Sequence, residues 1–284
     1  MTDNSELGIL YLVGTPIGNL EDITLRAIRI LQEVDAIAAE DTRRTGKLLQ
    51  HLNINTPQIS YYEHNHNSRI QDLVNRLQQG NKIALVTDAG MPSISDPGYQ
   101  LVESAIAAKI KVIPIPGGTA AISALAVSGL PTDRFVFEGF LPIKEKYRRE
   151  RLALLQNETR TMVFYEAPHR LLRTLIDFKG IFGSDRPLVL ARELTKIYEE
   201  IWRGTIEQAI AVYTDSRQPK GEYTLVVGGT TVEASMLSKE ELKQELQQLL
   251  AQGLTRSQAS RQLAKSTSWS RRDIYQLDLG TLNN

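Results

Sequence analysis

The residues of this chain that could do chemistry lie in short segments, each following an apolar run. The longest is Thr87-Asp88-Ala89-Gly90-Met91-Pro92-Ser93-Ile94-Ser95-Asp96-Pro97-Gly98. A long loop without its own secondary structure is usually functional. A carboxylate there can accept hydrogen bonds from ribose hydroxyls or an ammonium group. The plainer alternative is a rigid connector. The segment Gly14-Thr15-Pro16-Ile17-Gly18-Asn19-Leu20 carries two glycines, which let backbone approach a ligand and offer amide groups to an anion or carboxylate. Its spacing is not G-x-G-x-x-G, and no Gly-Lys-Ser/Thr follows, so a nicotinamide enzyme and a P-loop ATPase are disfavoured. A tight strand-to-helix turn stays open.

Glu40-Asp41-Thr42-Arg43-Arg44 places acid and guanidinium together, which suits a sugar and a phosphate, or equally a helix cap with a surface ion pair. In Phe164-Tyr165-Glu166-Ala167-Pro168-His169-Arg170, Tyr165 could stack on a base and Glu166 or His169 could move a proton. The alternative is a strand running into a Pro-started helix. Ala191-Arg192-Glu193-Leu194-Thr195-Lys196 and Lys220-Gly221-Glu222 are mixed-charge segments that could be solvated edges. The alternating His64 and His66 could bind a metal, but no third ligand cluster is evident. No metal is expected; a polar substrate-facing loop, or a cap through Asn67, fits better.

Residues 144–151 hold Lys144, Lys146, Arg148, Arg149 and Arg151 around Tyr147. A basic helix beside a cleft suits phosphate contact, whereas many such runs are only solvated faces. Near the C-terminus, Arg256, Arg261, Lys265, Arg271 and Arg272 are expected outward on a helix-turn-helix-like module that could bind RNA, or that could serve only packing or dimerisation.

These segments need elements to hold them. Apolar runs at 7–13, 36–39, 59–62, 83–87 and 112–115 alternate with helical patterns at 45–52, 67–79, 99–108 and 119–127. Asp22 is read as the cap of a helix burying Leu25, Ile28 and Leu31. Such alternation implies an α/β domain with a mainly parallel sheet, whose ligands bind at the carboxyl ends of the strands. After Gly129-Leu130-Pro131 a second α/β domain is expected. Its strands are placed near 135–138, 161–165, 188–192, 198–202 and 223–227, and its helices near 146–155, 169–178 and 205–213. From Ser238 the sequence turns to helix formers, with a capping box at Ser238-Lys239-Glu240-Glu241, a second helix at 256–265 and a third from Ser270 through Leu277. The expected domains are 1–130, 131–231 and 236–284.

The 284 residues are 42% hydrophobic and 23% charged, enough for a sizeable core, and the 33 basic and 33 acidic residues cancel. That balance argues against coating nucleic acid through bulk charge and leaves room for a local basic patch. Without cysteine, disulfides and thiolate chemistry are excluded. The polar, acidic start and the lack of an apolar run of about 20 residues lead us to expect a cytoplasmic protein with no membrane association.

The motifs LYLVGTPIGNLEDIT, AAEDTRRTGKLL, EHNHN, DAGMPSISDPG, FVFEGFLP, FYEAPHRL, LARELTKIYEE and KGEYTLVV occur in this order. Together they resemble the ribosomal RNA small subunit methyltransferase I family of the tetrapyrrole methylase superfamily. The resemblance spans residues 7–227, and residues 238–279 are similar to the family's C-terminal module. It implies two α/β domains with S-adenosylmethionine folded in the cleft between them, and a homodimer. The implied reaction is 2′-O-methylation of a cytidine in the decoding region of 16S ribosomal RNA, on the assembled small subunit. By the same resemblance, the donor touches Pro16, Ile17, Asp88, Gly90, Met91, Thr119, Ala120, Tyr165, Ala191 and Leu225. Candidates around the hydroxyl are Asp41, Arg43, Glu166, Arg192, Glu193 and Lys196, with Glu166 or Glu193 as base. The family often has Thr at Met91 and Pro at Gly118. Two other readings remain open. A porphyrinoid methylase would need neither the basic helix nor the C-terminal module, and a non-enzymatic RNA-binding assembly factor would not bind the donor.

Overall fold

The computed structural model describes residues 7–62, 66–215, 218–230, 238–267 and 269–277. Residues up to Gly228 form one compact unit and those from Gly229 a second. The first unit begins with β1 (Ile9–Val13), α1 (Leu25–Glu33), β2 (Ala36–Ala39), α2 (Thr42–His51), β3 (Gln58–Ser60), α3 (His66–Gln78), β4 (Lys82–Val86), α4 (Tyr99–Ala107), β5 (Lys111–Ile115) and α5 (Ala120–Ser128). The strands form a parallel sheet in the order β3-β2-β4-β1-β5. Strand β2 is buried along its whole length, as expected when helices cover both faces of a parallel sheet. On one face Val13, Ile37 and Val86 meet Ala27, Ile30 and Leu31; on the other Leu10, Ile83 and Leu85 meet Leu73, Leu77 and Leu101.

The second half of this unit runs β6 (Phe135–Phe140), α6 (Glu145–Leu154), β7 (Thr161–Glu166), α7 (Leu171–Phe182), β8 (Pro187–Arg192), β9 (Glu200–Thr205), α8 (Ile206–Asp215) and β10 (Tyr223–Val227). The sheet order is β6-β7-β10-β8-β9, with only β6 and β7 parallel. Met162, Phe164, Leu190 and Leu225 pack with Leu152, Leu175, Phe178 and Ile206 from α6, α7 and α8. Helix α5 covers the other face: Ala121, Ala124 and Leu125 meet Val163, Val189, Ala191 and Val226. A helix that follows the first sheet thus completes the core of the second.

Some local expectations shift. Asp22 ends a 3-10 turn capped by Asn19, and the cap of α1 is Thr24, whose hydroxyl accepts from the Ala27 N–H at 3.1 Å. Leu25 is therefore exposed, and the buried face is Ala27, Ile30 and Leu31. Strand β9 begins at Glu200 because the chain first turns through Glu193 and Thr195, both at positive φ (50° and 66°).

The C-terminal unit holds α9 (Lys239–Ala251), α10 (Arg256–Ser266) and α11 (Arg271–Tyr275). Capping boxes at Ser238 and Thr255 start the first two, and Ser270 caps the third, which stops at Tyr275. Leu242, Leu246, Ala259, Leu263, Ile274 and Leu277 form its core. Among the described residues no helix is long and apolar enough to cross a membrane.

Candidate active site

The carboxyl ends of β1, β2, β4 and β5 converge, and short contacts lock them together. Backbone at Thr15 and Gly90 exchanges two hydrogen bonds (2.9 and 3.1 Å), and the Thr15 hydroxyl donates to the Thr87 carbonyl at 3.1 Å. Gly14 faces Gly117 so closely that a Cβ on either would lie within 2.8 Å of the other's backbone. The glycines of the first loop therefore permit protein to approach protein rather than ligand. Gly18 does the same beneath Lys196 and Thr195.

Between this edge and the second sheet lies a cavity of about 430 Å³, within the range of roughly 300–1,000 Å³ common for small-molecule sites. Its apolar surfaces come from Ile17, Met91, Ile94, Phe140, Tyr165, Ala191 and Leu194. Phe137 and Phe140 hold the Tyr165 ring, at centroid distances of 5.1 and 5.5 Å. The Tyr165 hydroxyl accepts from the Ala121 N–H at the start of α5 at 3.2 Å. Burial pushes this phenol above its usual range, the Ala121 N–H opposes, and the nearby Asp96 charge adds to the rise.

One wall is acidic. Glu40, Asp88 and Asp96 line it, with Arg44 as counter-charge. Thr87 Oγ1 donates to Glu40 Oε2 at 2.6 Å, and the Asp88 N–H reaches the same oxygen at 3.2 Å. Asp88 accepts from the Asp41 N–H at 3.2 Å and pairs with Arg44 at 3.2 Å. Burial and then the Glu40 charge raise Asp88 above the ordinary carboxylate range, against the pull of Arg44. Asp96 is raised to about 7 by burial and by the charges of Glu40 and Asp88, against a hydrogen bond with Thr87. An apolar slot with an anionic wall fits a nucleoside carrying a cationic centre, the chemistry of a sulfonium methyl donor.

Of the residues expected to touch the donor, Ile17, Asp88, Gly90, Met91, Thr119, Ala120, Tyr165 and Ala191 line this cavity. Pro16 does not, and Leu225 points into the core beneath the helices while its neighbour Thr224 lines the cavity. Strand alternation makes that difference. Met91 lies over Gly14, and Gly118 has room for a Cβ, which would meet Ile17 at 3.7 Å.

The candidates around the hydroxyl fare differently, and none lines the cavity. Glu166 is on the opposite strand face from Tyr165. It is buried, accepts from Thr174 Oγ1 at 2.5 Å and the Ala167 N–H at 2.8 Å, and pairs with Arg170. A carboxylate so occupied cannot serve as a base in the cavity. Glu193 accepts from the Glu222 N–H at 2.9 Å and pairs with Lys196 at 3.0 Å. Burial would raise its pKa, but these partners outweigh it and hold the group low, so Glu193 is a poor base. Lys196 bridges on to Glu222 of the cavity rim at 2.8 Å. Arg192 donates to the Lys220 carbonyl at 2.7 Å. Asp41 caps α2 and holds Arg43 in a two-pronged pair, so hydrogen bonds from Arg43 keep its carboxyl well below the usual range. Arg43 itself is exposed.

The basic helix also divides. Lys144 and Lys146 are exposed, but Arg148 is buried, with Nε donating to Asp177 at 2.7 Å and a second nitrogen donating to the Ile143 carbonyl at 3.0 Å. It cannot meet RNA phosphate. Arg149 also reaches Asp177, at 3.0 Å, while remaining largely exposed. In the C-terminal unit Arg261 and Arg272 are exposed, and Arg271 donates to Ser257 at 3.0 Å. Arg256 instead donates to the carbonyls of Tyr275 and Leu277, stapling α10 to the end of α11. Glu63, His64 and Asn65, and the side chains of His66, Asn67 and Lys265, lie outside the described residues. Among the described residues no cluster of three His, Cys, Asp or Glu side chains is placed to hold a metal.

Sequence reasoning missed Glu40, Arg44, Asp96, Phe140, Leu194, Glu222 and Thr224 as cavity residues. Glu40 carried a usable signal as the acid directly after the apolar strand β2, and Asp96 as the second acid of the long loop after β4. Thr224 could have been found from the period of two along its strand.

Comparisons with known proteins agree with this architecture. The family Tetrapyrrole (Corrin/Porphyrin) Methylases matches residues 9–210. A Synechocystis sp. protein named ribosomal RNA small subunit methyltransferase I is 59% identical over 274 residues, covering 96% of this chain and 98% of that one. A protein of the same name from Halalkalibacterium halodurans is 50% identical, covering 95% and 94%. Among solved structures, uroporphyrin-III-C-methyltransferase from Thermus thermophilus superimposes with a TM-score of 0.55 at 22% identity, covering 78% of this chain and 94% of that one. The methyltransferase CobJ gives 0.60 at 18% identity, covering 78% and 95%. At those identities the structures speak for the fold. The chain is a methyltransferase of the tetrapyrrole methylase superfamily and belongs within it to the ribosomal RNA small subunit methyltransferase I family.

Proposed function

We infer that the chain methylates the ribose 2′-hydroxyl of a cytidine in the decoding region of 16S ribosomal RNA, using S-adenosylmethionine. Its substrate is the assembled small subunit, and it works as a homodimer in the cytoplasm. The observation that carries the reading is the cavity between the two sheets, apolar on one side and acidic on the other, in a chain 59% identical to a named ribosomal RNA methyltransferase. The donor supplies an electrophilic methyl group on a cationic sulfur. Ile17, Met91, Thr119, Ala120 and Tyr165 would hold it, with Glu40 and Asp88 complementing the positive charge. Alignment of the hydroxyl and removal of its proton are the tasks left to the protein.

RNA must then be held by cations outside the cavity. Arg43, Lys144 and Lys146 are exposed cations on the first unit, and Arg261 and Arg272 on the second. They can bind phosphate locally in a chain with no net charge. The test is ribose-methylation mapping by mass spectrometry on small subunits from cells lacking the protein, before and after incubation with the purified protein and donor. One new methyl on a cytidine ribose is expected. Methylation of a porphyrinoid with none on RNA supports a small-molecule methylase. Absence of donor binding by calorimetry supports a non-enzymatic assembly factor.

A further inference from the structure

Asp41 and Glu193 are held by Arg43 and Lys196, and most of the other candidate carboxylates for this reaction are already committed as well. Glu40 receives Thr87 Oγ1 and the Asp88 N–H. Asp88 receives Arg44 and the Asp41 N–H. Glu222 is held by Lys196, and Glu166 faces the other side of its sheet with Thr174 and Arg170. Asp96 lines the cavity, and among the described residues no cation or backbone N–H is paired with it. It shares the Thr87 hydroxyl with Glu40, to which that hydroxyl also donates at 2.6 Å.

The loop that presents Asp96 is tightly constrained. Ser93 and Ser95 are held at positive φ (72° and 60°) on either side of Ile94, and the Ser93 N–H closes onto the Pro97 carbonyl at 3.3 Å. Ser95 reaches across to the second sheet: a Cβ on Gly139 of β6 would meet its hydroxyl at 2.8 Å. Non-glycine residues keep such conformations only where the surroundings over-determine them, commonly at functional sites.

We propose that Asp96 is the proton acceptor of the reaction, a role that rests on the ribose methylation read above. The hydroxyl O–H bond breaks toward the Asp96 carboxylate as the oxygen's electron pair forms the bond to the methyl carbon. The electron pair of the broken carbon–sulfur bond stays on sulfur as a neutral thioether, and the proton later passes from Asp96 to water. The groups facing Asp96 suit the task. Glu40 at the end of β2 and Asp88 on its own loop repel its negative charge, Arg44 of α2 is turned toward Asp88, and Tyr165 of β7 is neutral. Burial, with the charges of Glu40 and Asp88, brings its pKa to about 7, close to the working pH where a general base is most effective.

The experiment compares wild type and Asp96→Asn on small subunits. The variant should lose about 10²- to 10⁴-fold in kcat, while its calorimetric affinity for S-adenosylmethionine and its KM for subunits change less than about threefold. Wild-type kcat should rise with pH through about 7 and level off, and the variant should lack that limb. In the free protein, labelled with ¹³C at the aspartate carboxyls, one resonance missing from Asp96→Asn should titrate near neutrality. Turnover within about threefold of wild type, a retained limb, or an Asp96 resonance already fully ionised at about pH 5 overturns the proposal. If Asp96→Asn loses its cooperative melting, Glu40→Gln replaces it: the limb must move to lower pH, and an unmoved limb overturns the proposal. Wild type inert on small subunits overturns the functional reading as well. Active wild type with unimpaired Asp96→Asn overturns this proposal alone.

Discussion

The hydroxyl of Thr87 donates to Oε2 of Glu40 at 2.6 Å, tying the end of β4 to the end of β2 beneath the cavity. Thr87 is buried, so nothing in solvent replaces the bond when it is lost. Thr87→Val should lower stability by about 1.5–3 kcal/mol, the usual worth of a hydrogen bond to a charged group. Thr87→Ser should recover most of that. Urea unfolding of the two variants is the check, and equal stabilities would show that the bond contributes nothing.

The raised pKa of Asp96 has a thermodynamic sign. Between the ordinary value of 3.8 and about 7, the folded protein holds a proton that the unfolded chain has released. Stability attributable to this group therefore falls as pH rises through that window and stays low above it. Asp96→Asn removes the titration. Its melting temperature relative to wild type should be higher at about pH 8 than at about pH 4. Thermal melts across that range measure the difference, and a constant offset would contradict the assignment.

Arg148 and Lys146 lie two positions apart in one basic run but have opposite fates. Arg148→Ala leaves Asp177 buried with only the largely exposed Arg149 as cation. It should cost about 3–5 kcal/mol of stability. Lys146→Ala should change stability by less than about 0.5 kcal/mol, since Lys146 is largely exposed and only 4.0 Å from Glu150. Denaturation curves separate the two.

Two glycines of the strand-end turns should differ just as clearly. Gly14→Ala puts a Cβ 2.7 Å from the Gly117 backbone. It should cost on the order of 1–3 kcal/mol by overpacking and weaken donor capture. Gly118→Ala meets only Ile17 at 3.7 Å and should stay within about 0.5 kcal/mol of wild type. Melting and donor calorimetry on both variants provide the check.

How far the fold and site could be read from the sequence depended on range. Local periodicity was enough for Ala36–Ala39 as a strand and for the Ser238 capping box, because neighbouring residues set both. It failed at Asp22, where Thr24 competes for the same cap from two residues away. Strand faces were the next limit: Tyr165 and Glu166, and likewise Thr224 and Leu225, differ by one residue and point opposite ways. Long-range partners were out of reach. The burial of Arg148 depends on Asp177, 29 residues away, and the environment of Asp96 on Glu40, delivered by a different strand.

The central claim is that the space between the two sheets is where the methyl donor binds. Titration of S-adenosylmethionine into wild type and into Ala120→Phe, which fills that space from the start of α5, tests it most directly. The account predicts one donor per wild-type chain and no detectable binding to the variant, with both proteins melting cooperatively. Undiminished binding to a folded Ala120→Phe protein would contradict it.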